Sequence, residues 1–222
     1  AGYIRIVSFH LDYSVPVWTY EIGEHRIEAR IWMEPGAHTT YTAWRLWPQS
    51  EPMEHELSMR VTLLANHRDH HGTTAVGAFA PEIAVEHERL ELTDAGFFSL
   101  TIRAPNGTIV PKRDWYQDFD LPIEAERGLE STDNHLCVGE VTLPLVPGQW
   151  RGIVASLDAD VPSDLDAALV RLAHPEAVGS PDHIEHEEAH GEHRREGGNE
   201  TQRLHADLLE GVVVRASSQI DP

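Results

Sequence analysis

A chain of 222 residues with a formal charge of −20 at pH 7 is poorly suited to nucleic acid or to anionic membrane surfaces, whose phosphates attract clustered cations. Its 41% apolar and 24% charged residues are those of an ordinary soluble globular protein, long enough to bury a substantial core in one domain with an appendage. No apolar run approaches the roughly 20 residues needed to cross a bilayer, and the single Cys137 excludes an internal disulfide, which points to the cytoplasm.

The first residues lack the basic start and apolar centre of a signal peptide, and with no start methionine the chain is expected to be a fragment or a trimmed product. Strands are predicted over residues 3–9 and, after a turn at Asp12-Tyr13-Ser14, over 16–22. Residues 18–47 hold four of the six tryptophans and read as three successive strands. Ile27, Ala29, Ile31 and Met33 alternate with Glu28, Arg30, Trp32 and Glu34, the period-two pattern of a sheet with one buried face. That phase assigns the first four to the core and turns Trp32 outward. Pro35-Gly36 ends the run, and 39–47 restarts in β-branched and aromatic residues.

Residues 57–65 form another predicted strand, ending in the polar cluster Asn66-His67-Arg68-Asp69-His70-His71-Gly72. The Gly-rich stretch 72–81 follows as a loop. Strands over 83–92 and 97–104 pair through Thr93-Asp94-Ala95-Gly96, and Pro105-Asn106-Gly107 is a hairpin signal. The aromatic-rich 112–119 precedes Pro122-Ile123-Glu124-Ala125-Glu126-Arg127-Gly128-Leu129. A further pair, 140–146 and 149–157, is joined at Pro147-Gly148. At least ten strands and no convincing helix up to residue 157 indicate an antiparallel sandwich or barrel.

Composition changes after Asp158. Residues 163–173 read as a helix with Ser163 as N-cap and Leu165, Leu169 and Leu172 on one face. Residues 174–199 are acidic and His-rich, a loose linker, and 201–209 reads as a second helix. The domain division is therefore 1–158 for the sandwich and 159–222 for the extension.

Four blocks, in this order, resemble one known family. They are Pro16-Val17-Trp18-Thr19-Tyr20, Arg26-Ile27-Glu28-Ala29-Arg30-Ile31-Trp32-Met33 with Thr39-Thr40-Tyr41, then the cluster at 66–72, similar to Asn-Tyr-Arg-Asp-Tyr-His, and 122–129, similar to Glu-x-x-Arg-Gly-Leu. Residues 3–157 are thereby identified as similar to the N-terminal domain of bacterial and archaeal glycogen debranching enzymes. His67 and His70 stand where that family has tyrosines. The resemblance implies an all-β chain: a large antiparallel β-sandwich of the supersandwich kind, apparently lacking its first strands, with a short helical, acidic C-terminal extension leading toward an absent catalytic domain. It implies a parent enzyme that hydrolyses α-1,6 branches of glycogen-like glucans in a helical (α/α) barrel, which is this sandwich's expected partner, with glycogen or another α-glucan as its expected ligand. None of the family's catalytic carboxylates maps here. The alternative is a stand-alone carbohydrate-binding or scaffolding module, and an independent small hydrolase ranks last.

Glu28, Asp69, Glu124 and Glu126 could in principle supply the carboxylate pair of a glycosidase, yet 37 acidic residues make some such pair a matter of chance, so no residue is assigned to catalysis. Arg68, Asp69, His71, Glu126 and Arg127 are expected at one end of the sandwich as a polar cluster of bidentate arginine contacts or as plain solvated loops. Trp32, Trp115 and Tyr116 are either core or platforms on which the apolar face of a sugar stacks. His183, His186, His190 and His193 would share one face of a helix and could grip a metal, although Gly191 and the polar surroundings favour a solvated linker. No cofactor is expected, and Cys137 has no activating base beside it.

Overall fold

The computed structural model describes residues 2–48, 56–68, 72–94, 98–158, 160, 162–173 and 213–217. A single 3-10 turn, Gly2–Arg5, leads into a meander of four strands: β1 (Ile6–Asp12), β2 (Val15–Ile22), β3 (His25–Met33) and β4 (Thr39–Leu46). β5 (Leu57–Ala65) then leaves for a second sheet. β6 (Glu82–Glu86), β7 (Arg89–Asp94) and β8 (Phe98–Arg103) return to the first. β9 (Thr108–Asp120), a five-residue helix α1 (Pro122–Glu126) and β10 (Thr132–Leu145) belong to the second, and β11 (Trp150–Ser156) again to the first. Helix α2 (Leu165–Ala173) and β12 (Val213–Ser217) complete the described elements.

The large sheet has the order β1-β2-β3-β4-β11-β8-β7-β6 and the small one β12-β5-β10-β9, and the strand pairings in both are antiparallel. The chain is thus an all-β sandwich, as its alternation and turn spacing imply. The core lies between the sheets, where Leu63 and Val61 of β5 and Val138, Val141 and Leu143 of β10 meet Leu90, Leu92, Ile102 and Ile153 of the large sheet. Each such side chain, withdrawn from water, contributes about 1.5–3 kcal/mol. A second apolar cluster occupies the opposite face of the large sheet: Val15, Trp32, Tyr41, Ala43, Trp150 and Val154 lie against Leu165 and Ala168 of α2.

The expected faces of β3 need correction. Ile27 and Ala29 are in the core, but Ile31 and Met33 are exposed, Met33 by 53%, whereas Trp32 is only 5% exposed. The alternation has the expected phase, and Trp32 does share a face with Glu28 and Arg30. What differs is coverage: α2 closes over the outer face, while Ile31 and Met33 lie where no described residue of the small sheet reaches. Trp32 accordingly stacks on Tyr41 with ring centroids 5.0 Å apart and planes 10° from parallel, an offset packing favourable for two rings.

Both turns that resemble hairpins also need correction. Asn106 has φ +60° and Gly148 φ +79°, so the chain does reverse at each, but β8 pairs with β7 and β11 whereas β9 pairs with β10. The Pro105-Asn106-Gly107 and Pro147-Gly148 turns are arches that carry the chain from one sheet to the other. The run 83–92 is in turn split by a tight reversal at His87, φ +53°, into the hairpin β6–β7. Helix α1 occupies a segment where no helix is expected. Asp164, not Ser163, caps α2, its Oδ1 accepting from the Ala167 N–H at 3.0 Å. Beyond residue 158, α2 packs on the large sheet and β12 pairs with β5, so these parts of the extension are built into the sandwich. The His-rich segment and the second expected helix lie outside the described residues.

Gly152 in β11 is required by close approach. A Cβ there would run into the carbonyl oxygen of Thr42 and lie 2.9 Å from the Ala43 Cα, backbone atoms that cannot yield cheaply. Gly152→Ala is expected to lower the unfolding free energy by roughly 1–3 kcal/mol, measured by urea denaturation; an unchanged midpoint would mean that β4 and β11 can separate without loss.

Candidate functional site

The motif that follows β5 is organised by a residue outside it. Asp133, near the start of β10, is completely buried, and a buried carboxylate is tolerable only with its lone pairs satisfied. Its Oδ1 accepts from the backbone N–H of Thr74 at 2.7 Å and of Asn134 at 2.8 Å. Its Oδ2 accepts from Arg68 Nε at 2.9 Å and Asn66 Nδ2 at 3.2 Å. Asn66 in turn accepts from the His67 N–H and from the Thr74 hydroxyl, and Asn134 Nδ2 donates to the Thr74 carbonyl at 2.7 Å. The result is a closed network that ties residues 66–68 and 74 to the head of β10. His67 packs edge-on against Phe98, 5.1 Å between centroids. His135, next to Asp133, packs on Phe119 at 4.6 Å, and burial pushes its pKa below the usual 6.5.

Glu126 and Arg127, at the end of α1, share this end of the small sheet with Arg68, and the two segments are linked where the Thr73 hydroxyl donates to Glu130 Oε2 at 2.9 Å. Arg68 pairs with Asp133 across the sequence, whereas Arg127 Nη1 pairs with Glu124 Oε1 at 3.3 Å within its own turn. Asp69 and His71 lie outside the described residues, as do His183, His186, His190 and His193. Among the described residues no group of three or more His, Cys, Asp or Glu is placed to hold a metal ion. Trp115 packs against the core, while Tyr116, its neighbour on β9, is exposed, so the two do not form one platform.

The outer face of the large sheet carries a second polar centre. Glu28 is 5% exposed and holds two arginines, accepting from Arg30 Nε at 2.6 Å and Arg45 Nη2 at 2.8 Å. Burial alone would raise its pKa, but the hydrogen bonds from Arg45 and Arg30 outweigh it and keep the carboxyl below its ordinary value. Glu28 is therefore ionised and unfit as the general acid of a glycosidase, which needs a raised pKa. Arg30 Nη1 also reaches Asp12 Oδ2 at 2.9 Å. Both guanidiniums lie over the Trp150 ring, 5.6 Å from its centroid for Arg30 and 4.6 Å for Arg45. Beside them, between the β1–β2 turn and the end of α2, is a cavity of about 220 Å³ bounded by Asp12, Tyr13, Arg45, Trp150, Leu169 and Leu172. Sequence reading misses this arrangement, because Trp150 meets Arg45 only through the β4–β11 pairing.

Helix α2 is pinned to the same face by a bidentate pair, Arg171 Nε and Nη2 donating to Glu34 Oε1 and Oε2 at 2.8 and 2.9 Å, with the Tyr41 hydroxyl donating to Glu34 Oε2 at 2.8 Å. The Arg171 hydrogen bond dominates in lowering the Glu34 pKa, while burial foremost, then Glu34, raises that of Tyr41. Buried Cys137 has its thiol pKa raised by burial and is not an activated nucleophile.

Asp133→Ala would remove the buried acceptor on which Asn66, Arg68 and the backbone N–H groups of Thr74 and Asn134 converge, and is expected to cost roughly 3–5 kcal/mol of stability by chemical denaturation, with a cost under 1 kcal/mol counting against the network. Because the Glu34 pKa is lowered by folding, its contribution is complete above the ordinary value of 4.5 and is lost as pH falls through the folded-state value. Thermal melts from pH 6 downward are expected to show a shallower acid decline in Glu34→Gln than in the parent chain, with parallel curves contradicting this.

Comparison with known proteins adds the family. A search of curated proteins finds no match. Residues 1–151, more than half of the chain, match the family described as glycogen debranching enzyme N terminal. With the four motif blocks and the sandwich that carries them, the chain belongs to the glycogen debranching enzyme N-terminal domain family.

Proposed function

We propose that this sandwich is the non-catalytic N-terminal part of a cytoplasmic glycogen debranching enzyme, and that it docks on the helical barrel that cleaves α-1,6 branches and contributes a wall of the glucan cleft. The observation that carries the docking is the uncovered apolar surface at the β1 side of the large sheet. Phe9 pairs with Trp18 and Trp18 with Ala29, so Phe9 stands on the face whose other end forms the core. Ile31 and Met33 share that face. Phe9 is 57% exposed, and Leu11, Ile31 and Met33 are exposed with it. A contiguous apolar surface of this kind marks an interaction site. Arg68 at the Asp133 network, Glu126-Arg127 beside it and the exposed ring of Tyr116 on β9 stand toward the β6–β8 side of the sandwich and are not part of this surface.

The catalytic role falls to the partner. Among the described carboxylates the family motifs mark no acid–base pair, and Glu28 is held ionised by two arginines. No helix among the described residues is long and apolar enough to cross a membrane.

Co-expression of this chain with an affinity-tagged family barrel tests the docking. The sandwich is expected to co-purify, and Phe9→Ser/Met33→Ser, which alters exposed side chains only, is expected to abolish co-purification while leaving the thermal melt of the sandwich unchanged. Retention of the double variant at the parent level would remove this face as the interface, and migration unaffected by glycogen in native gels would remove the glucan wall.

A further inference from the structure

The cavity on the outer face lies opposite the apolar surface assigned to docking, and its chemistry is specific. Asp12, Arg30 and Arg45 line it, and Glu28, paired with both arginines, joins Asp12 in balancing their two positive charges. The groups are fixed by each other, yet they keep hydrogen-bonding capacity. A guanidinium has five N–H donors and a carboxylate accepts at both oxygens, while Arg30 uses Nε and Nη1 and Arg45 uses Nη2 in the contacts above. Asp12 lines the cavity with Arg30 and Arg45, and Glu28 neutralises the two guanidiniums from beside it, so an anion meets cations already paired and a cation meets two guanidiniums, and neither gains. A neutral molecule carrying hydroxyls that both donate and accept finds partners for both. The remaining walls, Val15, Leu169 and Leu172, suit the C–H faces of such a molecule.

Tyr13 supplies an independent observation. It occupies the β1–β2 turn at φ +55°, a left-handed conformation that hairpin turns usually give to Gly, Asn or Asp, and its side chain is 92% exposed. Neither backbone ease nor packing accounts for a tyrosine there. It stands on the lip of the cavity, where an exposed ring is available to stack on a sugar, as the Trp150 ring, covered by the two guanidiniums, is not.

We propose that this cavity is a saccharide site that holds one neutral pyranose ring, a glucosyl unit of an α-glucan, between the Arg30–Arg45 pair and Tyr13. The volume of about 220 Å³ falls below the roughly 300–1,000 Å³ of sites for drug-sized ligands, which limits the occupant to a single ring. The proposal rests on the reading that the sandwich contacts glucan, and it adds to the cleft wall a second contact on the α2 face, away from the docking surface.

Titration of the 222-residue chain with maltose, followed by tryptophan fluorescence, tests it. Maltose is expected to bind with millimolar affinity, Tyr13→Ala to weaken it about tenfold, and Ala173→Trp, which plugs the cavity from the exposed end of α2, to abolish it. Both positions are exposed, and circular dichroism checks the fold of each variant. Maltose binding that neither variant alters would overturn this site while leaving glucan contact elsewhere on the sandwich. Absence of maltose binding by the parent chain would overturn both. Displacement of maltose by sodium sulfate at constant ionic strength would overturn the neutral-ligand assignment.

Discussion

An eight-stranded sheet facing a four-stranded one cannot bury its apolar face with the smaller sheet alone, and this inequality of width shapes the rest of the structure. Where β5 and β10 oppose β4, β11, β8 and β7, the apolar side chains are fully buried. Toward β1, β2 and β3 the same face continues with apolar side chains that nothing described covers. The other face of the same sheet is closed by α2, whose leucines and alanine meet Val15, Trp32 and Trp150. One sheet therefore presents three surfaces: a core, a helix-covered flank and an open apolar margin.

Acidic residues dominate the charge of the chain, yet the buried ones are individually compensated. Glu28 has Arg30 and Arg45, Glu34 has Arg171 and Tyr41, and Asp133 has Arg68 with two backbone amides. Against 37 acidic residues the chain has only 17 basic ones, and Arg30, Arg45, Arg68 and Arg171 stand where removal of a partner would leave a desolvated charge. Such pairs add little stability over a well-packed apolar substitute but penalise any arrangement that separates them. They fix which elements meet: α2 to the β3–β4 turn, the segment after β5 to the head of β10.

Much of this was legible in the sequence. Alternation places β2 to β5 within a residue or two, and the leucine spacing places α2 and its buried face. Coverage was not legible: the period-two pattern assigns Ile31 and Met33 to one face and Trp32 to the other, but which face is buried at that point depends on how far the small sheet extends and where α2 lies. Turn chemistry likewise reports a reversal without saying whether the next strand pairs with the last or crosses to the other sheet, as at Asn106 and Gly148. Asp133 carried no signal, since one aspartate among polar neighbours does not reveal that four donors converge on it. The Arg45–Trp150 contact depends on a pairing between distant strands.

That pairing has a kinetic side. β11 lies in the middle of the large sheet, hydrogen-bonded to β4 on one edge and β8 on the other, so the two halves of that sheet join only through a strand that begins at residue 150. During synthesis β4 emerges long before its neighbour and must wait with one edge bare, a state open to mispairing. Closure is then a late, non-local event of the kind that folds in milliseconds to seconds rather than microseconds. The ribosome thus delivers both halves of the sheet before the strand that joins them.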